Sequence, residues 1–468
     1  MIQHMNPARS PLLRVSVVGH TNVGKTSLMR TLMRDARFGD VAPTSATTRQ
    51  VQAAKLLADG HAEVELFDTP GLEDAGALIE RLEAEPSDRH EGPERIRDFL
   101  SSGDAERRFE QEARVLSRCL ESDAVLYVID VREPVLGKYQ DELAILALTA
   151  RPILPVLNFV AAPRARSDDW REALARVGLH AVVEFDTVVF SLESEARLWR
   201  RLATLAESYA DSLERLIGSR QTQARWQLAT AQSMLADLLV DVAAARRTAR
   251  RDEADDVEHA QRSLVQAVGQ REQRLVDELL ELYRFAESDH QSVQLPFDGR
   301  GWRDSAFDTA TLVAIAPGTG GGAAAGAATG AAFDAATAGL SLGAGTLIGA
   351  LAGGGAGAAW QLRRKWADRL RGRIAVQVDD AALAALAARG LALIDALRQR
   401  GHAAQDTIRL SESIRPPWSD GNRLPAPLRR ARFSPGSSTL NRGGSADAEQ
   451  RHALAAQLRE SLQPVDPG

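Results

Sequence analysis

Short apolar runs bounded by turn residues mark the first part of the chain. They lie at residues 13–18, 62–67, 124–130 and 153–157, and the run at 124–130 reads AVLYVID. Runs of this length and composition are typical of strands buried in a mostly parallel sheet. With helical segments between them, the pattern predicts an α/β domain over residues 1–195, a mixed, mostly parallel sheet with helices on both faces.

The pattern of apolar positions changes at about residue 196. From residue 196 to 290, apolar residues recur at a spacing of three or four, which predicts long amphipathic helices. These helices either pack within the molecule or meet a partner or dimer helix. We predict a helical domain over residues 291–412 and a Pro/Gly/Ser-rich tail with a terminal helix over residues 413–468.

Residues 309–362 are dominated by glycine and alanine, and Asp334 is their only ionisable residue. Two series of glycines recur at every fourth position: Gly318, Gly322, Gly326 and Gly330, then Gly345, Gly349, Gly353 and Gly357. This spacing predicts a glycine-zipper hairpin in a mainly α-helical C-terminal region, with helices long enough to cross a bilayer. Because alanine and glycine drive insertion weakly, a buried soluble hairpin and a flexible linker remain the alternatives.

Charge narrows the range of partners. Basic residues at 363–365 follow the hairpin, so we expect a cytoplasmic membrane surface as a partner through residues 309–365. The net charge of -6 argues against a nucleic-acid partner. The lone Cys119 and the polar start of the chain favour a cytoplasmic protein, peripheral to or inserted in the inner membrane if the hairpin enters lipid.

A glycine-containing turn follows the first strand and leads into a helix that begins near Lys25. It fits G-x-x-x-x-G-K-[ST] at every fixed position, and Ser27 follows it: Gly19, His20, Thr21, Asn22, Val23, Gly24, Lys25 and Thr26. Such a P-loop binds phosphate through inward-pointing N–H groups. We expect Lys25 to lie between the β- and γ-phosphates and the Thr26 hydroxyl to coordinate Mg²⁺.

A second phosphate-site motif ends the strand at 62–67. It reads Asp68-Thr69-Pro70-Gly71, where Asp68 would hold a magnesium-bound water and the Gly71 amide would sense the γ-phosphate. The polar loop at residues 43–49 predicts the first switch segment of a nucleotide-dependent enzyme. The helical insertion predicted at 73–121 either reads out the switch or only decorates the domain.

The motifs GHTNVGKTS, SATTR and DTPGL resemble those of the TrmE-Era-septin-like GTPases, over roughly the first 200 residues. The resemblance implies a P-loop GTPase that binds GTP and Mg²⁺, with Thr48, or failing that Thr47, closing onto the metal. It also implies slow intrinsic hydrolysis, because Leu72 stands where Ras-like enzymes have glutamine. Asn22 occupies the position that ligates K⁺ in potassium-activated members, whose turnover depends on dimerisation.

The base-recognition motif N-K-x-D of these GTPases is incomplete. Asn158 matches it, but Phe159 replaces the lysine and Ala161 replaces the acid, which leaves selectivity for GTP over ATP open. Phe159 would stack on the base, with Ser191 and Leu192 as the other wall.

Acids elsewhere could substitute for the missing one. Asp168 and Asp169 are the nearest in sequence, although their polar context favours a solvated loop. Asp130 and Arg132 follow a buried strand, at the sheet edge where loops carry chemistry, unless they are merely solvated.

The elements VIDVREP and PVLNF, together with the glycine-rich half, resemble a bacterial family of GTPases fused to a C-terminal domain of unknown function. We therefore predict a GTP-hydrolysing switch that couples nucleotide state to a membrane or an unknown protein effector, with a homodimer as a further partnership. The rival hypotheses are a dynamin-like membrane-remodelling GTPase, a non-hydrolysing nucleotide-binding scaffold, and an ATP-specific enzyme.

Overall fold

The computed structural model describes residues 11–35, 38, 52–84, 92–285, 372–404, 416, 418, 423–441 and 447–462. The chain forms two compact units: residues 1–227, 283–286 and 398–406, and residues 228–282, 287–397 and 407–468. Predictions for Thr47, Thr48 and the hairpin at 309–362 lie outside the described residues.

A six-stranded sheet organises the first unit. Its strands are β1 (Leu13–Val18), β2 (Gln52–Ala58), β3 (His61–Asp68), β4 (Ala124–Asp130), β5 (Ile153–Asn158) and β6 (Val183–Glu184). The order is β2-β3-β1-β4-β5-β6, with β2 antiparallel to β3 and every other neighbouring pair parallel. The carboxyl ends of the parallel strands share one edge, where a ligand site is expected.

Helices cover both faces of this sheet. They are α1 (Lys25–Met33), α2 (Ala75–Glu83), α3 (Gly92–Leu100), α4 (Gly103–Arg107), α5 (Glu110–Glu121), α6 (Gly137–Ala147), α7 (Ser167–Arg176) and α8 (Leu192–Leu205). Alternate residues of β4 enter different cores: Val128 joins one with Trp199 of α8, and Tyr127 joins another with Trp170 of α7. The predicted α/β fold is confirmed.

The segment between β3 and β4 consists of α2 to α5 and has a core of its own. Leu78, Ile96, Phe99, Phe109 and Leu116 are buried together there. This segment is therefore a packed layer of the domain. A side chain of one of its helices can contact the backbone of another.

The second unit is mainly helical, as predicted. Its described elements are the later part of α9 (Ala210–Ala244), β7 (Arg247–Arg250), α10 (Ala254–Leu282), β8 (Arg373–Val376), α11 (Asp380–Gln399) up to residue 397, α12 (Ala426–Arg432) and α13 (Ala448–Glu460). β7 and β8 pair antiparallel. The buried Asp241 accepts hydrogen bonds from the Ser438 hydroxyl and from the backbone and hydroxyl of Thr439, which fixes that turn against α9. Among the helices in the described ranges, none combines the length and the apolar character needed to cross a bilayer.

Candidate functional site

The P-loop joins β1 to α1 at the carboxyl edge of the sheet. Gly19 has φ +149° and Gly24 has φ +96°, values that L-residues rarely adopt. A Cβ on Gly19 would lie 2.4 Å from the Val128 carbonyl oxygen, and one on Gly24 would lie 2.4 Å from Asn158 Nδ2. Both glycines of the motif are therefore required by packing as well as by backbone conformation.

Lys25 begins α1 and is buried. Its Nζ donates to the carbonyl oxygens of Gly19 at 2.9 Å and His20 at 2.8 Å. Burial lowers its pKa to about 8, against the opposing effect of carboxylates led by Asp68. An ammonium held by carbonyl groups inside the loop is positioned to exchange them for phosphate oxygens.

Thr26 and Asp68 bring oxygen ligands together below the loop. The Thr26 hydroxyl donates to Asp68 Oδ2 at 2.8 Å. Asp68 is 1% exposed, burial raises its pKa, and its Oδ1 has no hydrogen-bond partner among the described residues. A buried, unsatisfied carboxylate oxygen beside a hydroxyl matches the ligands that Mg²⁺ prefers, so these residues fit the metal.

Gly71 lies directly against the P-loop. A Cβ there would fall 2.3 Å from Thr21 Oγ1 and 2.9 Å from the Thr21 backbone nitrogen. The next residue, Leu72, has 0% exposure and belongs to the core that contains Val18 and Tyr139. The Leu72 side chain is thus packed inside the domain and does not line the phosphate site.

A histidine network that the sequence analysis missed ties the P-loop to Leu72. His20 Nδ1 lies 3.0 Å from the Leu72 carbonyl oxygen and 2.8 Å from Glu142 Oε1. The Tyr127 hydroxyl donates to the other oxygen of Glu142 at 2.7 Å. Since the carbonyl oxygen accepts only, a proton on Nδ1 satisfies the contact with Leu72 and can also be shared with the Glu142 oxygen.

Two further contacts hold the residues behind Gly71. The Thr21 hydroxyl donates to Glu73 Oε1 at 3.1 Å. Glu112 of α5 is 5% exposed, and its Oε1 accepts from the backbone nitrogens of Glu73 at 3.2 Å and Asp74 at 3.1 Å. The helical insertion therefore contacts the backbone that follows Gly71.

Asn158 ends β5 and is fully buried. Its Nδ2 donates to the Val23 carbonyl oxygen at 3.0 Å, and its Oδ1 accepts from the backbone nitrogens of Phe159 at 2.9 Å and Thr187 at 3.1 Å. One side chain thus joins the P-loop, the loop after β5 and the loop after β6. Asn158 was predicted to bind the base. In the structure its side chain holds these three loops together.

Phe159 lies at the same edge in a left-handed backbone conformation, with φ +61°. Its Cζ is 3.3 Å from the position of a Cβ on Gly24. The Arg132 guanidinium carbon lies 3.8 Å from the Phe159 ring centroid, and Asp130 holds that guanidinium through bonds at 2.9 Å and 2.7 Å. The two polar residues at the end of β4 therefore form a bonded pair that packs on the aromatic ring.

The other predicted site residues lie in the P-loop, in the first turn of α1, or farther along the chain. Val23 is buried in the core, Asn22 is exposed in a left-handed conformation with φ +66°, and Ser27 lies in the first turn of α1. Ser191 caps α8 by accepting from the Ser194 nitrogen, and Leu192 is the first residue of that helix. The backbone nitrogen that bonds Asn158 belongs to Thr187.

A remote segment completes the loop after β6. Gly401 donates its backbone N–H to the Val188 carbonyl oxygen at 3.0 Å, and the Phe190 nitrogen donates to the Gln399 oxygen at 2.8 Å. His402 stacks on Phe285 with ring centroids 4.6 Å apart. Sequence reasoning had no signal for this pairing, because the two segments are some 200 residues apart and no local pattern in one indicates the other.

Comparison with known proteins finds two families along the chain. Residues 14–159 match a family described as "50S ribosome-binding GTPase", and residues 171–460 match one described as "Domain of unknown function (DUF3482)". The second match covers more than half of the chain.

Curated relatives match in the first part of the chain. Identity to GTPase Der of Nitrobacter hamburgensis is 28% over 145 residues, 31% of each protein. Identity to tRNA modification GTPase MnmE of Symbiobacterium thermophilum is 41% over 70 residues, 15% of each protein. The chain thus spans less than a third of the length of these relatives. A crystal structure of Era in complex with MgGDPNP and nucleotides 1506-1542 of 16S ribosomal RNA aligns with a TM-score of 0.27 and 17% identity, over 38% of this chain and 52% of that one.

Proposed function

The chain belongs to the DUF3482 family and carries a GTPase domain of the Der and MnmE type ahead of the family's own domain, and we propose that it is a Mg²⁺-dependent switch that binds and hydrolyses GTP. One observation carries the proposal: the Thr26 hydroxyl and the buried, half-satisfied Asp68 carboxylate meet directly below a P-loop. This arrangement would supply both the anion site and the metal site for a nucleoside triphosphate.

Each residue of the site has a specific task. The P-loop N–H groups bind the polyphosphate, and Lys25 offsets its negative charge at the γ-phosphate. Thr26, Asp68 and, by resemblance, Thr48 would hold Mg²⁺, which supplies charge neutralisation between the β- and γ-phosphates. The Gly71 amide would donate to the γ-phosphate and report its presence.

Hydrolysis proceeds by in-line attack of water on the γ-phosphate, with catalysis by positioning and charge rather than by a general base. The intrinsic rate is slow because the Leu72 side chain is buried and cannot orient the attacking water. The exposed Asn22 is available to ligate K⁺, either alone or across a homodimer, which would raise the rate.

Nucleotide state is conveyed to the C-terminal region through the loop after β6. Thr187 in that loop bonds Asn158 beside the P-loop, and the neighbouring Val188 bonds Gly401. Gly401 follows α11 closely in the chain, so movement of the loop would be transmitted to the end of that helix. The recipient is an effector protein or a membrane surface, the latter proposed from the sequence of residues 309–365.

The buried Leu72 also favours one second candidate, a scaffold that binds nucleotide without turnover. Phosphate release separates it from the switch. Protein that binds GTP but releases no phosphate, with K⁺ and anionic vesicles present, would establish the scaffold. Release that rises with vesicles and with oligomerisation would instead support a dynamin-like enzyme.

The first experiment compares binding of labelled GTP and ATP with Mg²⁺, in sodium and in potassium buffer. Lys25→Ala should abolish binding, whereas Lys55→Ala, at a side chain that is 57% exposed, should leave it intact. GTP-selective binding followed by slow, potassium-stimulated phosphate release is the expected result. Equal binding by wild type and Lys25→Ala would contradict the proposal, and preference for ATP would replace GTP in it.

A further inference from the structure

The loop after β5 lacks a side chain that can accept a hydrogen bond from guanine, because Ala161 stands at the position of the missing acid. A carboxylate nevertheless lies at this place. Asp186 Oδ2 accepts a hydrogen bond from the Ala161 backbone nitrogen at 3.0 Å. The loop after β5 has no acid at Ala161, but the loop after β6 places the Asp186 carboxylate beside that residue.

The sheet fixes this position. β6 runs parallel to β5, and the Phe185 backbone nitrogen donates to the Leu157 oxygen at 2.9 Å. The residue after Asp186 is Thr187, whose nitrogen donates to Asn158 Oδ1 at 3.1 Å. Asp186 thus emerges between two residues that are hydrogen-bonded to β5, at the sheet edge where nucleotides bind in open α/β folds.

The hydrogen bonds of Asp186 leave one acceptor position. Its Oδ1 accepts from the backbone nitrogens of Val188 at 2.9 Å and Val189 at 3.0 Å, and its Oδ2 accepts from Ala161 alone. An ionised carboxylate has about four lone-pair positions, so one remains on Oδ2. The residue is 8% exposed, and its side chain is held rigidly by the three N–H groups.

We propose that Asp186 is the acid that selects guanine, with its remaining Oδ2 lone pair accepting the guanine N1–H. The assignment rests on the proposed function of the site as a GTP-binding site. Guanine has a proton on N1, whereas adenine has a lone pair there, which the carboxylate repels. A single acceptor therefore distinguishes the two purines, and the guanine 2-amino group need not be read.

The acids that the sequence singled out are placed differently. Asp168 and Asp169 are exposed in the first turn of α7, where negative side chains interact favourably with the helix dipole. That surface setting explains why these residues are acidic. They serve as matched controls for Asp186.

The experiment measures binding of Mg²⁺ complexes of GTP, ATP and tripolyphosphate by calorimetry to the full chain. Asp186→Ala and Asp186→Asn should reduce the preference for GTP over ATP by about ten- to a hundredfold, the effect of one charge-assisted hydrogen bond. Affinity for tripolyphosphate, which has no base, should not change. Asp168→Asn should leave all three affinities unchanged.

A second set of measurements needs only wild-type protein and modified ligands. Inosine triphosphate, which lacks the 2-amino group, should bind as GTP does, and N1-methyl-GTP should lose most of its affinity. In Asp186→Ala, GTP and N1-methyl-GTP should bind about equally, which shows that the loss in wild type is not steric.

The outcomes separate the two proposals. Wild-type protein that binds neither GTP nor tripolyphosphate overturns the proposed function and this assignment together. Protein that binds both, but does not distinguish GTP from ATP or from N1-methyl-GTP, overturns the assignment to Asp186 alone. If both Asp186 variants fail to fold, equal binding of GTP and N1-methyl-GTP by wild type still overturns the assignment.

Discussion

The carboxylate of Glu112 lies 3.1 Å from the backbone nitrogen of Asp74 and accepts its N–H. This bond joins α5 of the insertion to the backbone three residues beyond Gly71. A movement of Gly71 toward a γ-phosphate that carried Asp74 with it would break this contact. The insertion thus restrains the part of the domain that is expected to respond to GTP.

Removing the Glu112 carboxylate should release that restraint. Glu112→Ala leaves two backbone N–H groups without their buried acceptor, which should destabilise the first unit by about 1.5–3 kcal/mol. Hydrogen exchange should become faster at residues 73–83. Glu110→Ala, on the same helix but with a carboxylate that is 62% exposed, should not change exchange there. Unaltered exchange in Glu112→Ala would show that the bond does not hold this segment.

Lys25 predicts a pH dependence of nucleotide binding. Its pKa is about 8 in the free protein, and phosphate oxygens would raise it in the complex. Binding above pH 8 must therefore take up a proton, and GTP affinity should fall by up to about tenfold per pH unit from there. Calorimetry at pH 9 in buffers of different ionisation enthalpy would measure the uptake.

The same shift affects the stability of the nucleotide-free protein. Because folding lowers the lysine pKa from 10.5, the charged form is disfavoured in the folded state, and the Lys25 contribution to stability increases as the pH rises from about 8 to about 10.5. Lys25→Arg should remove both pH effects, since arginine stays charged in this range. Affinity that is independent of pH in wild type would contradict this account.

For Glu272 of α10 we predict the opposite trend, a stability of the second unit that falls as the pH rises. Burial raises its pKa to about 7, although Arg389 lies 3.2 Å away and favours the charged form. A carboxyl group whose pKa is raised on folding stabilises the protein at low pH and loses that contribution as the pH rises through 7. The second unit should therefore lose about 2 kcal/mol between pH 5.5 and 8.5.

Urea unfolding at the two pH values, followed by a probe in the second unit, would test this. Glu272→Gln should flatten the dependence because glutamine does not titrate. Glu278→Gln, at an exposed position on the same helix, should leave it as in wild type. A dependence that persists in Glu272→Gln would assign it to another group.

Gly401 predicts a steric effect on the loop after β6. A Cβ there would lie 2.0 Å from the Thr187 carbonyl oxygen, so Gly401→Ala must displace one backbone from the other. We expect a loss of stability of about 2 kcal/mol or more and faster hydrogen exchange at residues 187–190. Gly218→Ala, in α9 with open space around it, should be neutral or stabilising. A Gly401→Ala protein with wild-type stability would exclude the close packing.

Local sequence was sufficient for the parts of the site that one segment builds alone. The P-loop, Asp68 and Asn158 were predicted because glycine geometry, a strand end and a turn are encoded within a few residues. The contacts of Glu112, Glu142 and Asp186 were not. Each acts on a residue at least 25 positions away, and no local periodicity indicates which distant backbone a buried carboxylate will reach.

The same difference holds at the sheet edge that is proposed to bind the base. Ser191 and Leu192 were predicted as one wall of the base site, and that role stays a prediction. The chain alone did not indicate which residue after β6 bonds Asn158, and in the structure it is Thr187. The choice depends on where β6 ends, and β6 has only two residues, too few to establish a pattern. The packing of Arg132 on Phe159 likewise depends on the alignment of β4 with β5, which the chain alone does not specify.

The pairing of Gly401 with Val188 has a consequence for the ancestry of the protein. The first unit includes a segment that lies some 200 residues downstream of the loop it pairs with. It therefore cannot be exchanged by recombination at a single junction. Substitutions at residues 187–190 should therefore be accompanied by substitutions at residues 399–402. A chimera joined at residue 195 would combine two segments that come from different proteins and do not match. The first 195 residues therefore form a complete heritable unit only together with residues 399–402.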